Sequence, residues 1–269
     1  FMTDPRFYEW LWFMENEIRP NIPMVYYHVW DNHPAPMFNR PFYLSNDLVV
    51  SISKVTHEVV SEAAPEVENI YHPHAVDSNI FKPKTQDEIA NLKKQSFPED
   101  KEDRMLFFWN NRNARRKQSG SLLFWFNEFA NEVGRDKVRL IMHTDPNDPH
   151  GQPLHHIIEK LGNDGTIMVS NSKVPPKTLA DMYNMANCTV NISDAEGFGL
   201  ATLESLSCET PIIVTMTGGL QEQVTDGEEW FGIGIEPSSK TVIGSQQVPY
   251  IYEDRISKED FKAALHKIY

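Results

Sequence analysis

Cysteine is scarce: there are two in 269 residues, Cys188 and Cys208. They make no disulfide framework, so a buried core must hold the chain. Cys188 opens an apolar run that reads as a buried strand and Cys208 ends an expected helix. Free thiols in a reducing cytoplasm fit that placement. No apolar run approaches the roughly 20 residues that span a bilayer. The opening Phe1-Met-Thr-Asp-Pro-Arg lacks a basic segment followed by an apolar one, so no secretory leader is read there. Positive charge is short as well: 25 Lys and Arg against 38 Asp and Glu give a formal charge of −13. That balance argues against a nucleic-acid partner and against electrostatic docking on an anionic membrane. His143, His150, His155 and His156 stand near Asp145 and Asp148. Their spacing fits no zinc pattern, and Pro146, Pro149 and Pro153 make the stretch a loop, so no metal site is expected. No internal repeat or low-complexity tract is present.

The composition is globular, 40% hydrophobic and 11% aromatic, with length enough for two domains. From Arg104 onward, short apolar runs over 105–109, 138–143, 166–170, 188–192 and 211–216 read as buried strands. Helical stretches over 121–133, 154–161, 177–186 and 199–208 separate them. Alternating strands and helices with apolar strands imply an α/β fold with a parallel, Rossmann-like sheet. Ligands of such sheets sit beyond the carboxyl ends of the strands.

The part before Arg104 is less regular. Runs over 24–29 and 48–52 read as strands. Over 7–18, Phe7, Trp10, Leu11, Met14 and Ile18 recur at helical spacing. Glu9, Glu15 and Glu17 on the same helix favour a core face over a membrane-surface face. Residues 82–101, rich in Pro, Lys, Glu and Asp, read as a linker with a surface helix. The expected division is a partial N-terminal domain over 1–83, a linker over 84–103 and a C-terminal domain over 104–269. About 100 residues are too few for a complete first Rossmann-like domain, so the chain is read as a piece of a longer protein.

One run carries the most chemistry: Ser193-Asp-Ala-Glu196-Gly-Phe-Gly199-Leu-Ala-Thr-Leu-Glu204. A Gly-Phe-Gly turn opening a helix offers free N–H groups at its positive end, a ready anion site. Carboxylates beside it accept hydrogen bonds from hydroxyls. Phosphate with many hydroxyls suggests a nucleotide-sugar. Directly after the strand over 105–109 comes Trp109-Asn-Asn-Arg112-Asn-Ala-Arg-Arg-Lys117, where Arg115 and Arg116 read as a solvated basic patch. Thr215-Met-Thr-Gly218-Gly219-Leu-Gln-Glu222 is another loop after a strand, and its glycines permit close backbone approach to a ligand. Val25-Tyr-Tyr-His28-Val-Trp-Asp31-Asn-His33 places a histidine at a strand end, with His33 a competitor.

The run from Ser193 to Glu204 resembles the E-x7-E signature of the retaining "group 1" glycosyltransferases of the GT-B fold. The family's Gly-Arg with a Lys five residues on is matched at Arg112 and Lys117, with Asn111 in place of Gly. Its "GG…E" is matched at Gly218, Gly219 and Glu222. His28-x-x-Asp31 is similar to its N-domain histidine segment, Asp47 to Ser53 to its "D…vS" segment, and Tyr71 to Pro83 to its linker, with Ala75 for the usual Gly. The resemblance implies two Rossmann-like domains, the first of them incomplete here. It implies a retaining, metal-independent transfer from a UDP- or GDP-type sugar donor, without a further cofactor, to a glycan or other hydroxyl acceptor. It implies that Glu196 meets the sugar and Glu204 the ribose, and that Arg112, Lys117 and the N–H groups of Phe198 and Gly199 hold the diphosphate. Asn111, Gly197, Leu200, Gly218 and Gly219 would complete the donor site. His28 would lie near the reacting sugar, and residues 169–174 near the base. The alternatives are a nucleotide-sugar-binding module, or a hydrolase or epimerase on the same fold.

Overall fold

The computed structural model describes residues 1–2, 4–100, 104–162 and 164–269. Residues 101–103, the end of the expected linker, lie outside the described residues. Two parallel sheets organise the chain. The first has the order β1-β2-β3, from β1 (Val25–His28), β2 (Leu48–Ser51) and β3 (Asn69–Tyr71). The helices before β3 are α1 (Glu9–Phe13), α2 (Glu15–Ile18), α3 (Arg40–Leu44) and α4 (Lys54–Ala63). Ser53 caps α4 by accepting from the Thr56 N–H, and Val59, Val60 and Ala63 turn inward against the sheet.

The second sheet has six parallel strands in the order β6-β5-β4-β7-β8-β9. They are β4 (Met105–Asn110), β5 (Val138–His143), β6 (Ile167–Ser170), β7 (Cys188–Asn191), β8 (Ile212–Thr215) and β9 (Gly232–Ile235). Central strands covered on both faces are mostly apolar, and β7 and β8 are buried at every position, Thr189, Asn191 and Thr215 included. The helices are α5 (Gln86–Ser96), α6 (Ser119–Val133), α7 (Leu154–Lys160), α8 (Pro176–Met185), α9 (Leu200–Ser207), α10 (Gln221–Val224) and α11 (Lys258–Ile268). Helix α6 buries Leu122, Leu123, Phe126, Phe129 and Ala130 on the sheet. The surface helix expected in the linker is α5, held by a Thr85–Glu88 capping box with no residue fully buried. The chain winds outward from β4 through β5 to β6, then crosses to β7 on the other side of β4. That reversal is the crevice where ligands of such sheets bind.

The helical stripe over 7–18 is corrected. Phe7, Trp10 and Met14 are exposed, and the core residue is Trp12. The helix breaks at Met14, between α1 and α2, so one continuous face never forms. Leu11 and Ile18 of that stripe do turn inward, joined by Tyr8 and Trp12, and pack against Tyr26 and its neighbours.

Besides helices α3, α4 and α10, strand elements of three kinds are not expected from the sequence. Strand β3 is short, and β9 reads Gly-Ile-Gly-Ile, too glycine-rich to register as a strand. The antiparallel hairpin of β10 (Ser239–Ile243) and β11 (Ile251–Arg255) is largely exposed on β10. It ties both halves together. The Asn32 amide donates to the Tyr252 carbonyl at 2.6 Å and the Tyr252 N–H to the His33 carbonyl at 2.8 Å. On the other side the Asp254 N–H donates to the Asp194 carbonyl at 2.9 Å. Arg115 pairs with buried Glu253.

Candidate donor site

A cavity of about 390 Å³ lies beyond the carboxyl ends of strands from both sheets. Val29 and Asp31 follow β1, Ile52 follows β2 and His74 follows β3. From the second sheet come Asn110 at the end of β4, Asn111 and Arg116 after it, and Glu196 to Ala201 at the start of α9. The two sheets therefore aim their ligand-bearing ends at one space.

Gly199 caps α9 at φ 92, a left-handed conformation that an L side chain adopts at a cost. It turns the chain so that the first turn of α9 faces the cavity. The N–H groups of Leu200 and Ala201 have no acceptor within the helix, and both residues line the cavity. An anion there meets the positive end of the helix. Asn111 lines the same wall, and its buried side-chain amide nitrogen has no partner. A ligand oxygen would satisfy it.

The cations sit in a tight turn over Arg115–Lys117, closed by Gln118 at φ 54. Lys117 is buried against the Glu196 carboxylate. Arg116 lies 3.7 Å from the same carboxylate and donates to the Ala195 carbonyl. Burial and the adjacent Arg116 both lower the Lys117 pKa, and Asp31 opposes them. Burial raises the Asp31 pKa, against the pull of Arg116 and Lys117. Asp194 fixes the turn from behind: its N–H donates to the Arg116 carbonyl at 2.8 Å and its carboxylate accepts from Gln118 at 2.7 Å.

Of the residues expected in the site, Asn111, Glu196, Gly197, Phe198, Gly199 and Leu200 line the cavity, and Lys117 touches Glu196 from beneath. Arg112 does not reach it. Its guanidinium donates to Asp148 at 2.6 Å and meets His150 at 2.6 Å, and its side chain is 60% exposed. The Asp148 carboxyl is correspondingly held well below its ordinary pKa, first by the Arg112 hydrogen bond. Arg116, set aside in the sequence as solvated, is the arginine on the wall; nothing in a run of three basic residues says which one faces inward.

Glu204 stands one layer down. Its carboxylate accepts from the Tyr183 hydroxyl at 2.7 Å, which in turn accepts from Asn110 on the wall at 2.8 Å. Gly218 and Gly219 serve the loop rather than approach a ligand in this cavity. The Gly219 N–H donates to the Glu196 carbonyl at 2.9 Å, and a Cβ on Gly219 would meet the Phe198 backbone at 2.6 Å. Glu222 is bound to the Lys54 N–H and the Tyr71 hydroxyl.

His28 is corrected. It is fully buried in the first core, with Nδ1 at 2.8 Å from the Tyr26 hydroxyl and Nε2 at 2.8 Å from the Tyr43 hydroxyl. The alternation of β1 turns Tyr26 and His28 to the same inward face. The histidine at the cavity is His74, ring to ring with Phe198 at 5.2 Å. The rule that ligands meet strand ends would have found it, had β3 been read. Burial, with Arg6 second, lowers the His28 pKa from 6.5 to about 3. The unfolded chain binds a proton in that window and the folded one does not, so stability falls as pH drops through it. Urea midpoints taken between about pH 7 and 4 should fall less steeply for His28→Phe than for the wild type; equal slopes would mean an accessible imidazole.

The fold is that of the GT-B glycosyltransferases. A profile of the family "Glycosyl transferases group 1" matches residues 90–265, more than half of the chain. The chain belongs to that family. It is 21% identical over 228 residues to N-acetyl-alpha-D-glucosaminyl L-malate synthase of Bacillus anthracis, covering 83% of this chain and 55% of that protein. It superposes on sucrose-phosphate synthase of Thermosynechococcus elongatus with a TM-score of 0.71 at 17% identity, over 96% of this chain and 61% of the other. Against Anabaena HepE in complex with UDP and glucose the TM-score is 0.63 at 17% identity, over 81% and 59% of the two chains. The chain thus spans little more than half the length of each.

Proposed function

We propose that this chain carries the donor site of a retaining, metal-independent glycosyltransferase. The donor is a nucleoside-diphosphate sugar and the acceptor a hydroxyl group. One observation carries the reading: the Arg116–Lys117 turn, the Glu196 carboxylate and the open start of α9 converge on one cavity at the strand crossover. The complex of HepE with UDP and glucose supports the donor class.

In this reading the diphosphate lies on the Leu200 and Ala201 N–H groups, with Arg116 supplying fixed positive charge as the bond to the sugar breaks. Fixed cations and N–H groups do the work that a divalent ion would otherwise do. Glu196, oriented by Lys117, accepts hydrogen bonds from the sugar hydroxyls. Glu204, through Tyr183 and Asn110, supports the ribose side. The anomeric C–O bond to the diphosphate breaks. The acceptor hydroxyl forms the new C–O bond on the same face, and its proton passes to the departing phosphate oxygen. Retention follows from that same-face path, for which no enzyme nucleophile is required. The domain division at about residues 84–103 is part of this proposal.

Calorimetric titration with UDP, GDP and ADP tests it. One nucleotide class should bind. Arg116→Ala should weaken that binding by about tenfold or more, the loss of one charge-assisted contact. Arg112→Ala should stay within about twofold, because its partners are Asp148 and His150 in an exposed position. The reverse order would return the diphosphate to Arg112. No binding of any nucleotide would end the reading.

A further inference from the structure

Beside the donor cavity lies a second one, of about 290 Å³, with walls from both sheets and from the hairpin. We propose that it seats the acceptor, and that it selects an uncharged, polyhydroxyl sugar over a phosphorylated or carboxylated one; this rests on the donor reading above.

Asp31 lines both cavities, so a hydroxyl held there opens toward the donor. The rest of the wall is polar. Asn32 and His33 follow Asp31, Gln221 comes from α10, and Glu236 follows β9. The hairpin adds Lys240 and Asp254, 3.6 Å apart. Three carboxylates therefore face one lysine. The Lys240 charge is shared with Asp254 and Asp31 faces Arg116 and Lys117, which leaves exposed Glu236, among the described residues, as the carboxylate of this wall without a paired cation. The buried Oδ1 of Asp254 receives no hydrogen bond. Carboxylates and amides match the donors of sugar hydroxyls, whereas a phosphate or carboxylate entering this wall meets like charge. The wall is also fixed in place, since the two hydrogen bonds between Asn32, His33 and Tyr252 lock the hairpin to the loop after β1. A preformed, acid-lined seat next to the cleavage point suits a neutral sugar.

Saturation-transfer NMR against three neutral probes and three anionic ones tests this. The neutral probes are methyl α-D-glucopyranoside, N-acetylglucosamine and myo-inositol; the anionic ones are glucose 6-phosphate, myo-inositol 1-phosphate and glucuronate. Each is titrated against wild type, Glu236→Gln and Glu236→Arg. Glu236 is exposed and lines the second cavity and not the donor cavity, so both variants should keep the wild-type melting temperature. At least one neutral probe should bind wild type, with its anionic counterpart about tenfold weaker or more. Glu236→Arg should reverse that preference, and Glu236→Gln should reduce it. The proposal is overturned if anionic probes match their neutral counterparts on wild type, if the Glu236 variants leave the ratio unchanged, or if no probe binds. UDP and GDP titrated into the same samples separate the two readings. Nucleotide binding without a sugar preference defeats the acceptor seat alone; absence of nucleotide binding defeats the donor reading as well.

Discussion

Lys117→Met should lower sugar transfer by about 100-fold, the effect of letting the sugar-orienting Glu196 carboxylate move from its place. It should also destabilise the fold by roughly 1–3 kcal/mol, because a largely buried carboxylate loses its nearer cation and keeps only Arg116 at 3.7 Å. The Lys117 and Glu196 side chains are 7% and 13% exposed, so water does little to replace the lost contact. The two losses have different origins, and the double variant separates them. Lys117→Met with Glu196→Gln leaves no unpaired charge, so much of the stability should return. Activity should not, since the sugar-orienting carboxylate and the lysine that holds it are both gone. The coupling is read from urea midpoints of the four proteins and from transfer rates with the nucleotide-sugar whose nucleotide binds. If Lys117→Met alone keeps wild-type rates, the pair is structural and Glu196 needs no orientation from Lys117.

The parts of the fold that were legible are those whose sequence pattern is set by burial alone. Strands β4, β5, β7 and β8 run through the middle of a covered sheet, and most of their residues are apolar, with Arg139, Thr189, Asn191 and Thr215 the buried polar ones. The Glu196–Gly199 turn was legible because its conformation restricts which residues can occupy it. What failed depends on direction rather than type. His28 and His74 both sit near the ends of parallel strands, but β1 alternation sends one ring into the core while the loop after β3 sends the other to the cavity. Arg112 and Arg116 differ by one tight turn, and the partner that removes Arg112, Asp148, is 36 positions away. The hairpin wall went unread because β10 is nearly all exposed, so its residues carry no apolar alternation. Such strands are specified by their long-range partners, here Asn32, His33 and Asp194, which no local window contains.

Gly218→Ala should abolish nucleotide binding and lower the melting temperature by several degrees or more, at about 2–4 °C per kcal/mol for a chain of this size. Two costs add. Gly218 holds φ 47, where an L side chain is strained by about 1–2 kcal/mol. Its Cβ would also collide with the Glu196 carbonyl, which is backbone and cannot swing aside. Relief must come from moving the Glu196 peptide, and that peptide anchors the turn through the Gly219 N–H at 2.9 Å. Glu196 and the start of α9 would then leave the geometry that the diphosphate needs, and small displacements of a positioned group cost heavily. Gly227→Ala isolates the first cost. Gly227 sits at φ 101 with nothing within 4 Å of the added methyl, so only strain applies. It should lose some stability and keep its nucleotide affinity. Equal affinity losses in the two variants would trace the effect to general destabilisation; loss in Gly218→Ala alone would show that the Gly218–Gly219 loop acts by holding Glu196 in place.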